Sequence, residues 1–200
     1  MIPAVVLAAG ASQRMGSPKA LLQLGGKAFV LTVVDTLTAA GVTNIFVIVR
    51  DVTHDAIAAA LTDTPAARLV VNTRAEEGQL SSLITGLDTA DAPGVSGVLV
   101  TLVDVPLIMP ATVRTLIARA GSSPSPILRV VHAGRHGHPV IYKREVFAAL
   151  RAADPAVGAK AVMRTVGVED VDVDDPGILQ DFDTPEDYRR LLTREHPTRK

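Results

Sequence analysis

The chain has 200 residues, 48% of them hydrophobic and 20% charged, enough for one ordinary domain with a sizeable buried core. Its formal net charge is -1 and aromatics make up 3%, so it lacks the basic excess that neutralises a nucleic-acid backbone and the rings that stack bases. Cysteine is absent, which excludes disulfides, thiolate metal sites and a thiol nucleophile, and fits a reducing compartment. No charged leader precedes the first apolar run, and that run is too short to span a bilayer. The expectation is a soluble, cytoplasmic protein with neither nucleic acid nor membrane as partner.

In chain order, Ile2 to Ala8 reads as a buried strand running into a loop of small residues. Lys27 to Ala40 carries apolar residues at helical spacing and stops at Gly41. Ile45 to Val49 is a second strand, His54 to Leu61 a helix, and Leu69 to Val71 a third strand ending at Asn72. Gln79 to Leu87 is helical, Val98 to Val103 is a strand, and Ala111 to Arg119 is a helix behind Pro110. Ile127 to Val131 and Pro139 to Tyr142 read as strands joined by a Gly/His loop. Helices are expected over Glu145 to Leu150 and Ala159 to Val166, a last strand over Val168 to Val173, and a last helix over Thr184 to Leu192, with Thr184 as cap and Pro185 at its first position. Residues 1–192 read as the domain and 193–200 as a polar tail expected to fray. Alternating strands and helices with unbroken apolar strands predict an α/β fold, a mostly parallel sheet covered on both faces. Ligands of such folds bind at the carboxyl ends of the strands, which puts the loops after Ala8, Asn72 and Val103 on one rim.

Residues 5–19 hold the densest signal. Here a strand opens into a loop containing Gly10, Ser12, Arg14, Gly16 and Lys19. Small residues let the backbone approach a ligand, loop N–H groups converge on oxyanions, and the two cations neutralise them. The Walker spacing is not met, because Gly10 and Gly16 are too far apart and Lys19 does not follow a glycine. The dinucleotide fingerprint fails at Ser12, and the nucleophile elbow fails at Arg14. Arg14 would fork onto two phosphate oxygens and Lys19 would act as a point charge; the alternative is a pair of solvated surface cations.

Asp104 follows an apolar strand and precedes Val105-Pro106. A carboxylate there needs a partner, and magnesium, which binds one or two carboxylates plus substrate phosphates, is the natural one; a turn-capping Asp is the alternative. Asp183 lies in Asp181-Phe182-Asp183-Thr184-Pro185-Glu186-Asp187, where metal ligation and helix capping stand even; Asp181, Glu186 and Asp187 fit the helix start. Gly78, Ser81 and Ser82 read first as a glycine turn with a serine cap. His132, His136 and His138 lie on a glycine loop whose spacing does not define a zinc site, and no carboxylate is expected near them; His132 and His136 are expected to be exposed.

Leu7, Ala8, Ala9, Gly10, Ser12, Arg14, Met15, Gly16 and Lys19 match every fixed position of Leu-Ala-(Ala/Gly)-Gly-x-Ser-x-Arg-Met-Gly-x-x-Lys, the opening of the molybdenum-cofactor nucleotidyltransferases and their relatives. Further segments resemble that family at residues 72–83, 104–106, 137–140 and 181–187, so the resemblance covers nearly the whole chain. It implies a three-layer, Rossmann-like domain of the nucleotide-diphospho-sugar transferase type and transfer of a nucleoside monophosphate from a triphosphate to an acceptor phosphate. By resemblance, Arg14, Lys19 and Asp104 are catalytic. Leu7, Ala8, Ala9, Gly10, Ser12, Asn72, Gly78, Ser81 and Ser82 join them around the nucleotide, and Asp104 and Asp183 hold Mg2+ or Mn2+. Gly137-His138-Pro139 matches the acceptor-side Gly-His-Pro, with His138, Pro139 and Lys160 as acceptor residues. Lys160 stands where the family's Gly-Asp-x-Gly-Ala-Arg segment has arginine and Asp154 is displaced, which bears on acceptor identity. Guanylyl transferases usually carry glycine where this chain has Ala9, so the resemblance points first to CTP and a molybdopterin acceptor, with molybdoenzyme chaperones as implied partners. A GTP-using enzyme, a sugar- or alcohol-phosphate transferase of the same fold and a non-catalytic nucleotide-binding regulator are the alternatives.

Overall fold

The computed structural model describes residues 1–12 and 15–195; Arg14 and residues 196–200 of the expected tail lie outside the described residues. The first strand, β1 (Ala4–Leu7), is paired on both edges and buried on both faces, which is why it is a continuous apolar run. A short antiparallel pair follows, β2 (Gln23–Leu24) and β3 (Lys27–Ala28). Gly25 and Gly26 close it with φ of 54° and 80°, the doubly positive turn that matches strand twist and that glycine adopts without strain. This hairpin is absent from the sequence reading, and it moves the start of the first helix from Lys27 to Phe29: α1 is Phe29–Ala39.

The remaining elements alternate as expected: β4 (Ile45–Val49), α2 (His54–Ala60), β5 (Ala67–Val71), α3 (Gln79–Ala90), β6 (Gly97–Leu102), α4 (Pro110–Ser122), β7 (Ile127–His132), β8 (Arg135–Lys143), α5 (Phe147–Arg151), α6 (Ala159–Val166), β9 (Glu169–Asp172) and α7 (Pro185–Glu195). The Gly/His stretch is not a loop. The chain reverses at Ala133 and Gly134, both at positive φ, and Arg135 to His138 already belong to β8. α7 runs to Glu195, past the start of the expected tail.

Seven strands form one sheet in the order β5-β4-β1-β6-β8-β7-β9. β8 alone runs against the others, paired antiparallel to both β6 and β7. Alternate residues of β1 serve opposite faces. Ala4 and Val6 join a core with Val33 and Leu37 of α1, Ile57 of α2 and Leu116 of α4. Val5 joins a second core with Leu83 and Leu87 of α3, Phe147 of α5 and Val162 of α6. The result is an α/β/α sandwich. No helix among the described residues is long and apolar enough to cross a membrane.

A third, smaller cluster fixes the carboxyl-terminal segment. Phe182 is buried, its ring centroid 5.7 Å from that of Phe29, and Tyr188 meets Phe29 edge-on at 6.0 Å. The Tyr188 hydroxyl donates to the Gln23 carbonyl (2.9 Å) and accepts from the Gln23 N–H (3.1 Å), tying α7 to the hairpin. α7 opens on a reciprocal cap: Thr184 Oγ1 donates to Asp187 Oδ2 (2.6 Å) and accepts from the Asp187 N–H (3.2 Å). The Phe182 N–H donates to the Asp104 carbonyl (3.2 Å), so the segment bearing Asp183 is stitched beside Asp104. Truncating Phe182 removes a buried ring from this joint. Phe182→Ala is expected to cost about 3–5 kcal/mol, read as a lower urea midpoint, whereas Phe182→Leu should recover more than half of that loss.

Candidate active site

The sheet order turns at β1, with β4 and β5 on one side and β6 on the other. A crevice opens outside the carboxyl ends of the strands at such a point, and here two cavities, of about 570 Å³ and about 670 Å³, share Leu7 and Gln79 in their linings. The larger cavity gathers Leu7, Ala8, Ala9, Gly10 and Ser12 from the end of β1 and its loop, and Lys19 from the short 3-10 turn after it. Gly78 and Ser82 reach it from the start of α3, Asp104 from the end of β6, and Asp183 from the residues before α7. The rim read from the sequence is therefore assembled. Ser12 sits at φ 49°, a conformation uncommon for a non-glycine residue, and its Oγ accepts from the Lys19 N–H at 3.0 Å.

Lys19 is the centre of this cavity's electrostatics. Its Nζ donates to Asp104 Oδ2 at 2.7 Å and also to Asp183 Oδ1, although those partners are 85 and 164 residues away in the chain. Burial pulls the ammonium's pKa down, but the two carboxylates outweigh that and hold it above the ordinary lysine range. The Asp104 side chain is 18% exposed and that of Asp183 50%. Asp104 Oδ1 is buried with no hydrogen-bond partner, a costly state unless a cation or donor completes it. Two carboxylates converging on one positive charge, one of them with an unmet buried oxygen, fit a divalent cation held by a pair of acids and by substrate phosphates. No cluster of three or more ligating side chains occurs among the described residues, so an all-protein cage is not built here.

Asn72 and Ser81 are brought close but do not line the cavity. Both are buried. The Asn72 amide donates to Ser81 Oγ (2.9 Å) and Ser82 Oγ (3.0 Å), and Ser81 Oγ in turn donates to the Arg74 carbonyl at 2.7 Å. These groups fasten β5 to α3 behind the wall that Ser82 and Gly78 present.

The smaller cavity holds His138 and Lys160 together with Arg129, His136 and Arg164, and no Asp or Glu is among its lining residues. Its floor is apolar, with Leu80, Leu83, Val140 and Met163. Pro139 lies elsewhere: successive strand residues face opposite sides, and Pro139 is buried on the far face against a small apolar void beside Val33 and Val113. His138 Nδ1 is shut away from solvent without a partner. Burial pushes its pKa below the ordinary value, against a weaker pull from Val100, Asp104 and Asp181 in the opposite sense. His136 is exposed as expected, but carboxylates do stand near these histidines: His136 Nε2 is 3.2 Å from Asp170 Oδ2, and Arg129 holds the same carboxylate with two contacts of 2.7 and 3.0 Å. His132 is half-buried rather than exposed, because its Nδ1 meets the Val173 carbonyl at 3.0 Å where β9 pairs with β7.

Sequence reasoning missed Arg50, Glu76, Gln79 and Asp181 in the larger cavity and Arg129 and Arg164 in the smaller. Arg50 directly follows a parallel strand on the ligand rim, and Arg164 stands one helical turn from Lys160, so both carried a positional signal. Arg129 carried none, since it interrupts an apolar strand and its partner Asp170 comes from another part of the chain.

Residues 4–171 match the model of the MobA-like NTP transferase domain. The chain is 28% identical over 192 residues to the purine catabolism protein PucB of Bacillus subtilis (strain 168), covering 92% of each. Among solved structures, Rv0371c of Mycobacterium tuberculosis H37Rv superposes with a TM-score of 0.82 at 29% identity, covering 96% of this chain and 98% of that one. The same mycobacterial protein has been solved in complex with manganese, where the TM-score is 0.75 at 28% identity over 96% and 97% of the two chains. A nucleotidyl transferase from Methanothermobacter thermautotroptrophicus, Mth528, gives 0.80 at 25% identity over 98% and 97%. With a motif-bearing crevice at the switch point of its sheet and a family match across most of its length, the chain belongs to the MobA-like NTP transferase family of nucleotidyltransferases.

Proposed function

We propose that this nucleotidyltransferase moves CMP from CTP onto the phosphate of a molybdopterin-type acceptor and releases pyrophosphate. The observation that carries the reading is the convergence of Asp104 and Asp183 on one positive charge in the lining of the larger cavity. A phosphate monoester loses its second proton near pH ~6, so the acceptor arrives as a dianion and requires no general base. One acceptor oxygen forms a bond to the α-phosphorus as the bond from that phosphorus to the bridging β-oxygen breaks, and pyrophosphate leaves with the electron pair. Catalysis then reduces to positioning and charge neutralisation.

The chain's own groups divide that work between the cavities. Gly10, Ser12 and Lys19 take the leaving phosphates, with Arg14 assigned to the same task on sequence grounds. Ala8, Ala9, Gly78 and Ser82 seat the nucleoside, with Asn72 and Ser81 holding Ser82 in place. The smaller cavity supplies the acceptor: cations at Arg129, Lys160 and Arg164 over an apolar floor suit an anionic molecule with a hydrophobic ring body, and Leu7 and Gln79, which line both cavities, put it next to the nucleotide. His138 lines the smaller cavity, while Pro139 sets the strand from behind. A divalent ion, Mg2+ or Mn2+, would be held by Asp104 and Asp183 and would supply charge neutralisation at the α-phosphate; the manganese complex of the mycobacterial relative is consistent with that assignment. The methyl group of Ala9 on the cavity wall narrows the space for a base and favours a pyrimidine.

Two measurements test this reading, and a third follows from the burial of His138. Asp104→Asn, in a pyrophosphate-release assay with CTP and acceptor, is expected to lower kcat by about 10²–10³-fold with the fold intact; wild-type turnover would remove Asp104 from the chemistry. Ala9→Gly is expected to raise kcat/KM for GTP relative to CTP by about tenfold, the scale of one methyl group in a pocket; an unchanged ratio would place base selection elsewhere. The third concerns His138, whose pKa is lowered in the folded state. The unfolded chain then takes up the proton first, so stability is lost as pH falls below about 6.5. Urea midpoints at pH 7.5 and 5.5 should separate more in wild type than in His138→Gln.

A further inference from the structure

The Lys19 ammonium occupies the place between Asp104 and Asp183. It uses one oxygen of each carboxylate, Asp104 Oδ2 at 2.7 Å and Asp183 Oδ1. A divalent cation bridging the same two side chains would compete for those oxygens and would lie within a few ångströms of the ammonium, where like charges repel strongly in a partly desolvated site. The lysine and the ion therefore exclude one another. Resting on the metal reading given above, we infer that Lys19 is a resident counter-cation that the metal must displace, so that divalent metal binds this chain tightly only together with a nucleoside triphosphate.

Several local features make the exchange physically coherent. The Lys19 backbone is pinned, its N–H bound to Ser12 Oγ at 3.0 Å, and its side chain is 15% exposed. Release therefore requires only rotation of the lysine side chain. The same cavity holds both the carboxylate pair and the small-residue loop, so a triphosphate there offers the ammonium new oxygens within reach of its four-carbon stem. Transfer of the ammonium to phosphate frees Asp104 Oδ2 and Asp183 Oδ1 together. Asp104 Oδ1, buried and unpartnered, is an oxygen that the lysine leaves unsatisfied and that an incoming cation can complete. Without nucleotide the two acids are already neutralised in part by Lys19; with nucleotide that charge is redirected and the acids become an open ligand pair. Lys19 thus couples the two binding events, which must be reciprocal: nucleotide tightens metal and metal tightens nucleotide.

The test uses Mn2+ as probe, its free concentration read by electron paramagnetic resonance, with the full chain and no acceptor. Without nucleotide, Lys19→Met is expected to bind Mn2+ at least about tenfold more tightly than wild type, the scale of removing one nearby like charge. Lys19→Gln, which keeps a hydrogen-bonding group but no charge, should show the same direction if the methionine variant folds poorly. Adding CTP should tighten Mn2+ binding to wild type by more than chelation by CTP in solution explains, and should do so less in the variants. Equal nucleotide-free affinity in wild type and both variants would overturn the exchange while leaving the metal site standing. If neither wild type nor the variants bind Mn2+ better than Asp104→Asn, with or without CTP, the metal site itself is wrong and the exchange falls with it.

Discussion

One ammonium group between two carboxylates governs the arrangement of this site. Asp104 leaves the end of β6, Asp183 arrives from the carboxyl-terminal segment, and Lys19 stands between them. Any one of these charges, partly desolvated and alone, would be expensive. Together they offset each other and leave a compact cluster with net negative charge at the point where a triphosphate and its cation would meet. One oxygen of Asp104 is left buried without a partner, an acceptor that the lysine does not satisfy.

The fold supplies the geometry at low cost because each part is held by something sturdier than the site. β1 and β6 are central and parallel, so the residues after each emerge side by side. The aromatic joint of Phe29, Phe182 and Tyr188 carries the last segment across the hairpin, and one backbone hydrogen bond from Phe182 to Asp104 sets it beside the end of β6. The cavities differ in their charge. The larger mixes acids with cations, and the smaller has cations and no acids in its lining; on the proposed reading the first would hold a metal–phosphate complex and the second an anionic acceptor.

Much of this was legible in the residue order. Central strands are apolar throughout because both faces are covered, and that pattern gave away the sheet; the loop after β1 declared itself by small residues and cations at close spacing. The short hairpin was not legible, because Lys27 and Ala28 continue the helical periodicity of α1 and only the Gly25-Gly26 pair signals a turn. The stretch around His136 and His138 reads as a loop by composition, yet it belongs to β8, where β7 pairs with Arg135 and His136. Pro139 matched a family motif, but whether it faces the cavity depends on strand parity, which a motif does not encode. Asn72 and Ser81 show the same limit from another side: polar residues at a ligand rim can be consumed by bonding to each other. The Arg129–Asp170–His136 cluster comes from three strands and has no local trace at all.

The most direct test of the central claim is to locate the metal. Crystals grown with Mn2+ and CTP should give one anomalous peak coordinated by both Asp104 and Asp183 and by an α-phosphate oxygen, with the Lys19 ammonium moved onto the outer phosphates. A manganese peak away from these two carboxylates, with CTP bound in the crevice, would contradict the account.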